Sequence, residues 1–102
     1  MVTYRQRLDI IADVLRVVRR NPGKTQILYQ ANLNYKILQR YLSDLLEASL
    51  VSFQEDDRHY ILTDKGRQFL ETYSDYAKKS KRVEKHLAAI KGKKAELSEL
   101  CK

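Results

Sequence analysis

The chain has 102 residues, which gives room for one small globular domain and an extension. Its 20 Lys and Arg against 13 Asp and Glu give a formal net charge of +7, which favours polyanionic partners such as nucleic acid or an anionic membrane surface. The single cysteine, Cys101, excludes a disulfide within the chain, and the longest apolar run is too short to cross a bilayer. We therefore expect a soluble cytoplasmic protein without a signal peptide.

The first predicted element is an amphipathic helix over residues 4–20. Asn21-Pro22-Gly23 ends it sharply, because proline cannot continue a helix. Five apolar residues recur on one stripe of this helix: Leu8, Ile11, Ala12, Leu15 and Val18.

Two further helices, separated by a short turn, are predicted next. Thr25 is the predicted N-cap of a short second helix, and the polar turn 32–34 separates it from a third helix over residues 35–48. The residues predicted to face inward from these two helices are Ile27, Leu28, Ala31, Leu38, Leu42, Leu45 and Leu46.

A β-hairpin is predicted where Val51–Glu55 and Arg58–Leu62 flank the charged tip Asp56-Asp57. Thr63 then caps a long C-terminal helix, with Asp64 in its first turn, where the helix dipole favours an anion. This order of elements is that of a winged helix-turn-helix. The predicted fold class is mainly α with a small β-hairpin. A winged helix-turn-helix DNA-binding head (residues 1–63) is joined to a long C-terminal dimerisation helix (residues 64–102).

A heptad stripe runs along the long helix, because non-charged residues recur from Gly66 onward at alternating steps of three and four, with Lys94 as the one charged interruption. Such a stripe on a lone helix would stay in water, so it predicts a homodimer joined by a coiled coil. Ser80 and Lys94 do not decide between parallel and antiparallel pairing. The predicted dimer interface consists of Phe69, Tyr73, Tyr76, Ser80, Val83, Leu87, Ile90, Leu97 and Cys101.

Two stretches of the sequence resemble a known family. Residues 24–35, followed by Tyr41, and the run 60–66 are similar to the archaeal winged-helix proteins of the Sulfolobus "ten-a" family, over roughly residues 8–75. The resemblance implies a winged-helix fold, DNA binding, and a dimer formed by an antiparallel coiled coil of C-terminal helices.

The outer face of the third helix is the predicted DNA-binding surface. Lys36 and Arg40 lie opposite the leucines and can bind phosphates or guanine edges, while Gln39 on the flank can pair with adenine. Asp44 and Glu47 make the second half of this face anionic. A recognition helix that enters the major groove with its N-terminal residues has this polarity.

Further candidate residues lie at the helix starts and at the hairpin tip. Thr25, Gln26 and Asn34 can offer backbone N–H groups to phosphates, although helix capping explains Thr25 and Asn34 equally well. Arg58 suits a contact in the minor groove, but three neighbouring carboxylates, at residues 55–57, oppose the approach of phosphates.

Two classes of function are left open. The first is a dimeric protein that binds double-stranded DNA as a transcriptional regulator or a nucleoid-associated architectural factor. The second, favoured by the acidic hairpin tip, is a protein–protein interaction module joined by the coiled coil.

The sequence contains no clustered metal ligands around His59 or His86, no phosphate loop and no nucleophile motif, so we expect no enzyme, cofactor, metal or small-molecule ligand. Ser80 and Lys94 on a narrow apolar stripe argue against membrane-surface binding.

Overall fold

The structure, a computed structural model, describes residues 5–20 and 23–102, and the side chains of Lys24 and Thr25 lie outside this description. Within it, the elements follow in the predicted order, which confirms the predicted fold class. They are α1 (Arg7–Val18), α2 (Lys24–Gln30), α3 (Tyr35–Glu47), β1 (Val51–Gln54), β2 (His59–Leu62) and α4 (Asp64–Leu100). The strands form an antiparallel hairpin in which Val51 pairs with Leu62 and Gln54 pairs with His59.

Several local predictions differ from the structure. The N-cap of α2 is Gly23, and Thr25 lies inside the first turn, so the prediction of a cap at Thr25 is wrong. Leu8 and Leu46, both predicted to face inward, are 44% and 38% exposed. α1 begins at Arg7, after a capping box in which the Asp9 carboxylate accepts the Gln6 N–H at 2.9 Å. The predicted helix start at residue 4 and the breaker at residues 21–22 lie outside the described residues.

The hydrophobic core joins all three helices of the head to the hairpin. Leu15 of α1, Ile27 of α2 and Leu38 of α3 are fully buried in it. Leu70, from the second turn of α4, is also part of this core, so the start of the long helix completes the head. The buried core residues are Ile11, Ala12, Val14, Leu15, Val18, Ile27, Ala31, Leu38, Leu42, Leu45, Val51, Tyr60, Leu62 and Leu70.

The turn between α2 and α3 is a Schellman motif. Asn32 takes the left-handed conformation (φ 53°), and its N–H donates to the Tyr29 carbonyl, while the Leu33 N–H donates to the Leu28 carbonyl. The Arg5 guanidinium donates to the carbonyls of Ala31 and Asn32, at 2.9 Å each. The Arg5 side chain therefore holds the backbone of this turn in place, and the turn sets the angle between α2 and α3.

Several hydrogen bonds fix the junction between the hairpin and α4. The Thr63 hydroxyl accepts the Gly66 N–H at 3.0 Å and donates to the carbonyls of Ser49 and Leu50, which follow α3. The Lys65 ammonium donates to the Ala48 carbonyl at 2.7 Å. The first turn of α4 is thus fixed to the backbone at and just after the end of α3, and Lys65 satisfies the carbonyl of the C-cap residue Ala48.

Gly66 permits the close approach of α4 to the head. A Cβ atom at this position would clash with the Leu50 carbonyl oxygen and lie 2.6 Å from Leu62 Cδ1. Two turns later, the Tyr73 hydroxyl donates to the Asp9 carboxylate, and the Arg16 guanidinium lies 5.5 Å from the centre of the Tyr73 ring. This side of α4 therefore faces the head of its own chain.

The bond between Tyr73 and Asp9 also shifts both pKa values. The Tyr73 hydroxyl, and next the Gln6 N–H, lower the pKa of Asp9, because both donate to the ionised carboxylate. The same hydrogen bond, with burial, raises the pKa of Tyr73 to about 12. Because the pKa of Asp9 is lowered and that of Tyr73 is raised, the phenol stays neutral and the carboxyl group stays ionised throughout the neutral pH range.

Gly66→Ala is expected to lower the free energy of unfolding by roughly 2–3 kcal/mol, because the added methyl group forces α4 away from the carbonyl of Leu50. Gly92→Ala is the matched control in the same helix. Among the described residues, nothing apart from its chain neighbours and the adjacent helix backbone lies within 4 Å of a Cβ placed there, so this change should raise the free energy of unfolding by up to about 1 kcal/mol through helix propensity. Urea unfolding followed by circular dichroism at matched protein concentration measures both, and equal effects would contradict the close approach at Gly66.

Candidate nucleic-acid interface

The outer face of α3 carries the predicted cationic pair. Asn34 caps the helix, and its side-chain oxygen accepts the Ile37 N–H at 2.9 Å. Lys36 and Arg40 lie one turn apart and are both exposed, and within the described part of the chain neither forms an ion pair. Gln39 is exposed beside them. Two exposed positive charges are therefore available to a ligand at the start of α3.

The same end of α3 contains an open concavity of about 630 Å³. Its walls include both cations, and two residues that the sequence analysis did not select, Tyr35 and Ile37. A helical wheel turns Ile37 about 100° away from Leu38 and places it next to Arg40, so the sequence held a usable signal for Ile37. The concavity is lined by Asn34, Tyr35, Lys36, Ile37 and Arg40.

The far end of α3 differs in charge. Asp44 and Glu47 are exposed there, and the Asp44 carboxylate lies 3.9 Å from the Arg7 guanidinium of α1. An exposed pair at this distance contributes little stability, but Arg7 offsets part of the negative charge. The cationic pair and the anionic pair thus occupy opposite halves of the same helical face.

The remaining predicted DNA-binding residues are less clearly arranged for contact. Gln26 is exposed in the first turn of α2, Asn34 serves as a cap, and the side chain of Thr25 lies outside the described residues. Arg58 is exposed at the end of the hairpin turn, where its backbone takes the left-handed conformation (φ 53°). A Cβ placed on Gly23 would lie 3.8 Å from the Arg58 carbonyl oxygen, so the hairpin turn lies beside the start of α2.

The heptad stripe of α4 has two parts with different surroundings. Phe69 and Tyr73 are partly buried against the head of their own chain, and Gly66 is buried there. Beyond them the stripe is largely bare, since Val83 is 57% exposed and Ile90 is 62% exposed. Its bare part consists of Tyr76, Ser80, Val83, Leu87, Ile90, Lys94, Leu97 and Cys101, of which Ser80 is half-buried and the others are exposed.

Two negative observations apply to the described residues. None of their helices is both long and apolar enough to cross a membrane. Their histidine, cysteine and acidic side chains form no group of three or more that could hold a metal ion.

Comparison with known proteins identifies the fold of the head. A family model described as winged helix-turn-helix matches residues 4–81, which is most of the chain. The chain belongs to the winged helix-turn-helix family. This winged helix-turn-helix protein is also similar to the crystal structure of Sso10a-2, a DNA-binding protein from Sulfolobus solfataricus. The TM-score is 0.72, with 26% sequence identity, over 91% of this chain and 96% of that one.

A curated archaeal relative extends the comparison. This winged helix-turn-helix protein is 35% identical, over 68 residues, to the uncharacterized protein MJ0290 of Methanocaldococcus jannaschii. The match covers 66% of this chain and 31% of MJ0290, so the chain spans about a third of the length of that relative. The predicted resemblance to archaeal winged-helix proteins is confirmed by these findings.

Proposed function

We propose that this protein binds double-stranded DNA as a homodimer, with the N-terminal half of α3 in the major groove. The observation that carries the proposal is the exposed cationic pair, Lys36 and Arg40, which lies beside the concavity at the start of α3 and has no carboxylate partner among the described residues. The DNA-binding activity named for the structurally similar Sso10a-2 supports the same role. The protein is then a nucleoid-associated protein of the cytoplasm.

The charge order along α3 fits insertion of its N-terminal end. Lys36 and Arg40 can reach phosphates or the O6 and N7 atoms of guanine, and Gln39 can pair with adenine. Asp44 and Glu47, at the other end of the face, would be repelled by phosphates and so remain outside the groove. Asn34, by capping α3, keeps the first turn of this helix formed where it meets the DNA.

Lys36→Ala combined with Arg40→Ala is expected to weaken DNA binding by roughly 10- to 100-fold and to reduce the salt slope by about 2, because two phosphate or base contacts are lost. Lys78→Ala with Arg82→Ala is a matched control, since it removes one Lys and one Arg from the exposed outer side of α4. Fluorescence anisotropy across a salt series measures both. Equal weakening by the two double variants would show that net charge, and not α3, determines the affinity.

The same titration separates the two versions of this function. Equal affinity for a mixed-sequence duplex and for the DNA upstream of the protein's own gene, with a steep salt slope, indicates an architectural factor. A strong preference for the upstream DNA indicates a transcriptional regulator that reads bases.

The bare part of the heptad stripe supports dimerisation. Large apolar side chains on it remain about half or more exposed, whereas a strict heptad repeat is typical of helices that pack against a second helix. Shallow apolar concavities lie between these side chains, one of them bordered by Tyr76, Ser80 and Val83. These are the holes that knobs from a second α4 would fill.

Charge complementarity favours antiparallel pairing in one register. If Leu87 packs against Ile90 of the partner subunit, the whole bare stripe is covered in both chains, and Glu84 lies beside Lys91 of the partner subunit, twice by symmetry. Neither Glu84 nor Lys91 forms an ion pair within the described part of its own chain. A shift of seven residues either way would bring Glu84 beside its own copy or Lys91 beside its own copy.

Lys94 favours the same orientation. Parallel pairing would place Lys94 against Lys94 of the partner subunit, whereas the antiparallel register places it against the partner's Val83.

The two heads then lie far apart. At 1.5 Å per residue, the attachment points of the heads near residue 70 are separated by about 55 Å along the dimer. One turn of duplex covers about 34–36 Å, so the heads can visit major grooves more than one turn apart or contact two duplexes.

Ile90→Asp is expected to dissociate the dimer, because it places a carboxylate against Leu87 of the partner subunit in the middle of the interface. Ala88→Asp introduces the same charge two residues away on the exposed outer side and should leave the dimer intact. Sedimentation equilibrium measures the molecular mass of both variants. A dimer that survives Ile90→Asp would contradict the heptad assignment.

Oxidative cross-linking tests the orientation. In the antiparallel register the two Cys101 thiols lie at opposite ends, about 38 Å apart, whereas a parallel dimer brings them within disulfide distance. We expect mild oxidation to give no covalent dimer. With Cys101→Ser as background, Val83→Cys and Lys94→Cys should each fail to cross-link alone but should cross-link when mixed. Cross-linking of either variant by itself would indicate parallel pairing.

A protein–protein interaction module is the second candidate. The exposed acidic turn of Glu55, Asp56 and Asp57 favours it, because these carboxylates repel DNA but suit a basic protein surface. Failure of the protein to bind either duplex at low salt would favour this candidate over DNA binding.

A further inference from the structure

Ile37 is an exposed apolar residue on the face of α3 assigned to DNA. It is 38% exposed and lies among the residues that line the concavity at the start of this helix. Single exposed apolar residues are common on protein surfaces and by themselves indicate nothing. Here, however, the residue lies one turn before Arg40 and directly after Lys36, two cations without ion-pair partners among the described residues.

The backbone at Ile37 is fixed, and the χ1 angle of its side chain is restricted. Its backbone N–H donates to the Asn34 cap at 2.9 Å, so the first turn of α3 is held in place. A β-branched side chain in a helix has one strongly preferred χ1 rotamer, so little entropy is lost when a ligand covers it. A rigid apolar group thus lies between two flexible cations at the end of the helix that would enter the groove.

The major groove offers one apolar group to such a side chain. Each base pair presents hydrogen-bond donors and acceptors there, but thymine alone adds a methyl group, on C5. Lys36 and Arg40 can hold the adjacent phosphates or base edges while Ile37 packs against that methyl group. Polar side chains at this position would bind the groove without this discrimination.

We propose that Ile37 contacts the C5-methyl group of thymine and gives the protein a preference for A·T base pairs. This inference rests on the proposed insertion of α3 into the major groove and adds a specificity-determining residue to it. Each covered methyl group is expected to change the affinity by about four-fold, which corresponds to the burial of one methyl or methylene group.

The test uses an alternating adenine–thymine duplex and the same duplex with every thymine replaced by uracil, which removes only the methyl groups. Affinity is measured for the wild-type protein, for Ile37→Ala and for Leu46→Ala. Leu46 is a matched control, because it is also 38% exposed and lies at the other end of α3. Thermal unfolding of both variants checks that they are equally folded.

The expected result is a preference of about four-fold or more for the thymine duplex in the wild type and in Leu46→Ala, and its loss in Ile37→Ala. Equal binding of the thymine and uracil duplexes by the wild type would overturn the inference while leaving the proposed function intact. Persistence of the preference in Ile37→Ala would also overturn it, since another group would then read the methyl. Absence of binding to either duplex at low salt would instead refute the proposed function itself.

Discussion

The close approach of α4 to the head at Gly66 is the constraint on which the other features depend. A side chain at this position would meet the Leu50 carbonyl, so only glycine lets the helix begin directly above the end of α3. Lys65 then satisfies the carbonyl of Ala48, the C-cap of α3, while Thr63 donates to the carbonyls just beyond that helix. Leu70 closes the core. Because α3 and α4 are fixed to each other here, the proposed DNA surface and the proposed dimer surface have a fixed relative orientation.

One heptad pattern serves two different contacts along α4. Gly66, Phe69 and Tyr73 face the head of the same chain, while the residues from Tyr76 onward remain available to a second helix. The bond from Tyr73 to Asp9 and the stacked Phe69 and Tyr73 rings, whose centres are 6.3 Å apart, mark the end of the first contact. The helix can continue across this change of partner without a break, because both surfaces lie on the same side.

Periodicity in the sequence was sufficient to predict the order of elements and the burial of Leu38, Leu42 and Leu45. It failed where burial depends on distant residues. Leu46 continues the leucine pattern but is left exposed, and the contact between Asp9 and Tyr73 joins residues 64 positions apart, which no local pattern encodes. The cationic face of α3 was predictable from spacing. The helical wheel also places Ile37 beside Arg40, but an apolar residue there gave no reason to select it before its exposure within the concavity was known.

Because α4 runs without a break from the head to its last turn, its length sets the distance between the two heads of the proposed dimer. Adding one residue after Tyr73 would rotate everything beyond it by about 100°, and the stripe would no longer face the partner. Adding seven residues would nearly restore the facing side and lengthen each helix by about 10.5 Å, close to the rise of three base pairs. In the proposed dimer, the distance between DNA contacts can therefore change only in steps that keep the stripe facing the partner, such as one heptad, and each step also alters the helical phase at which the second head meets the duplex.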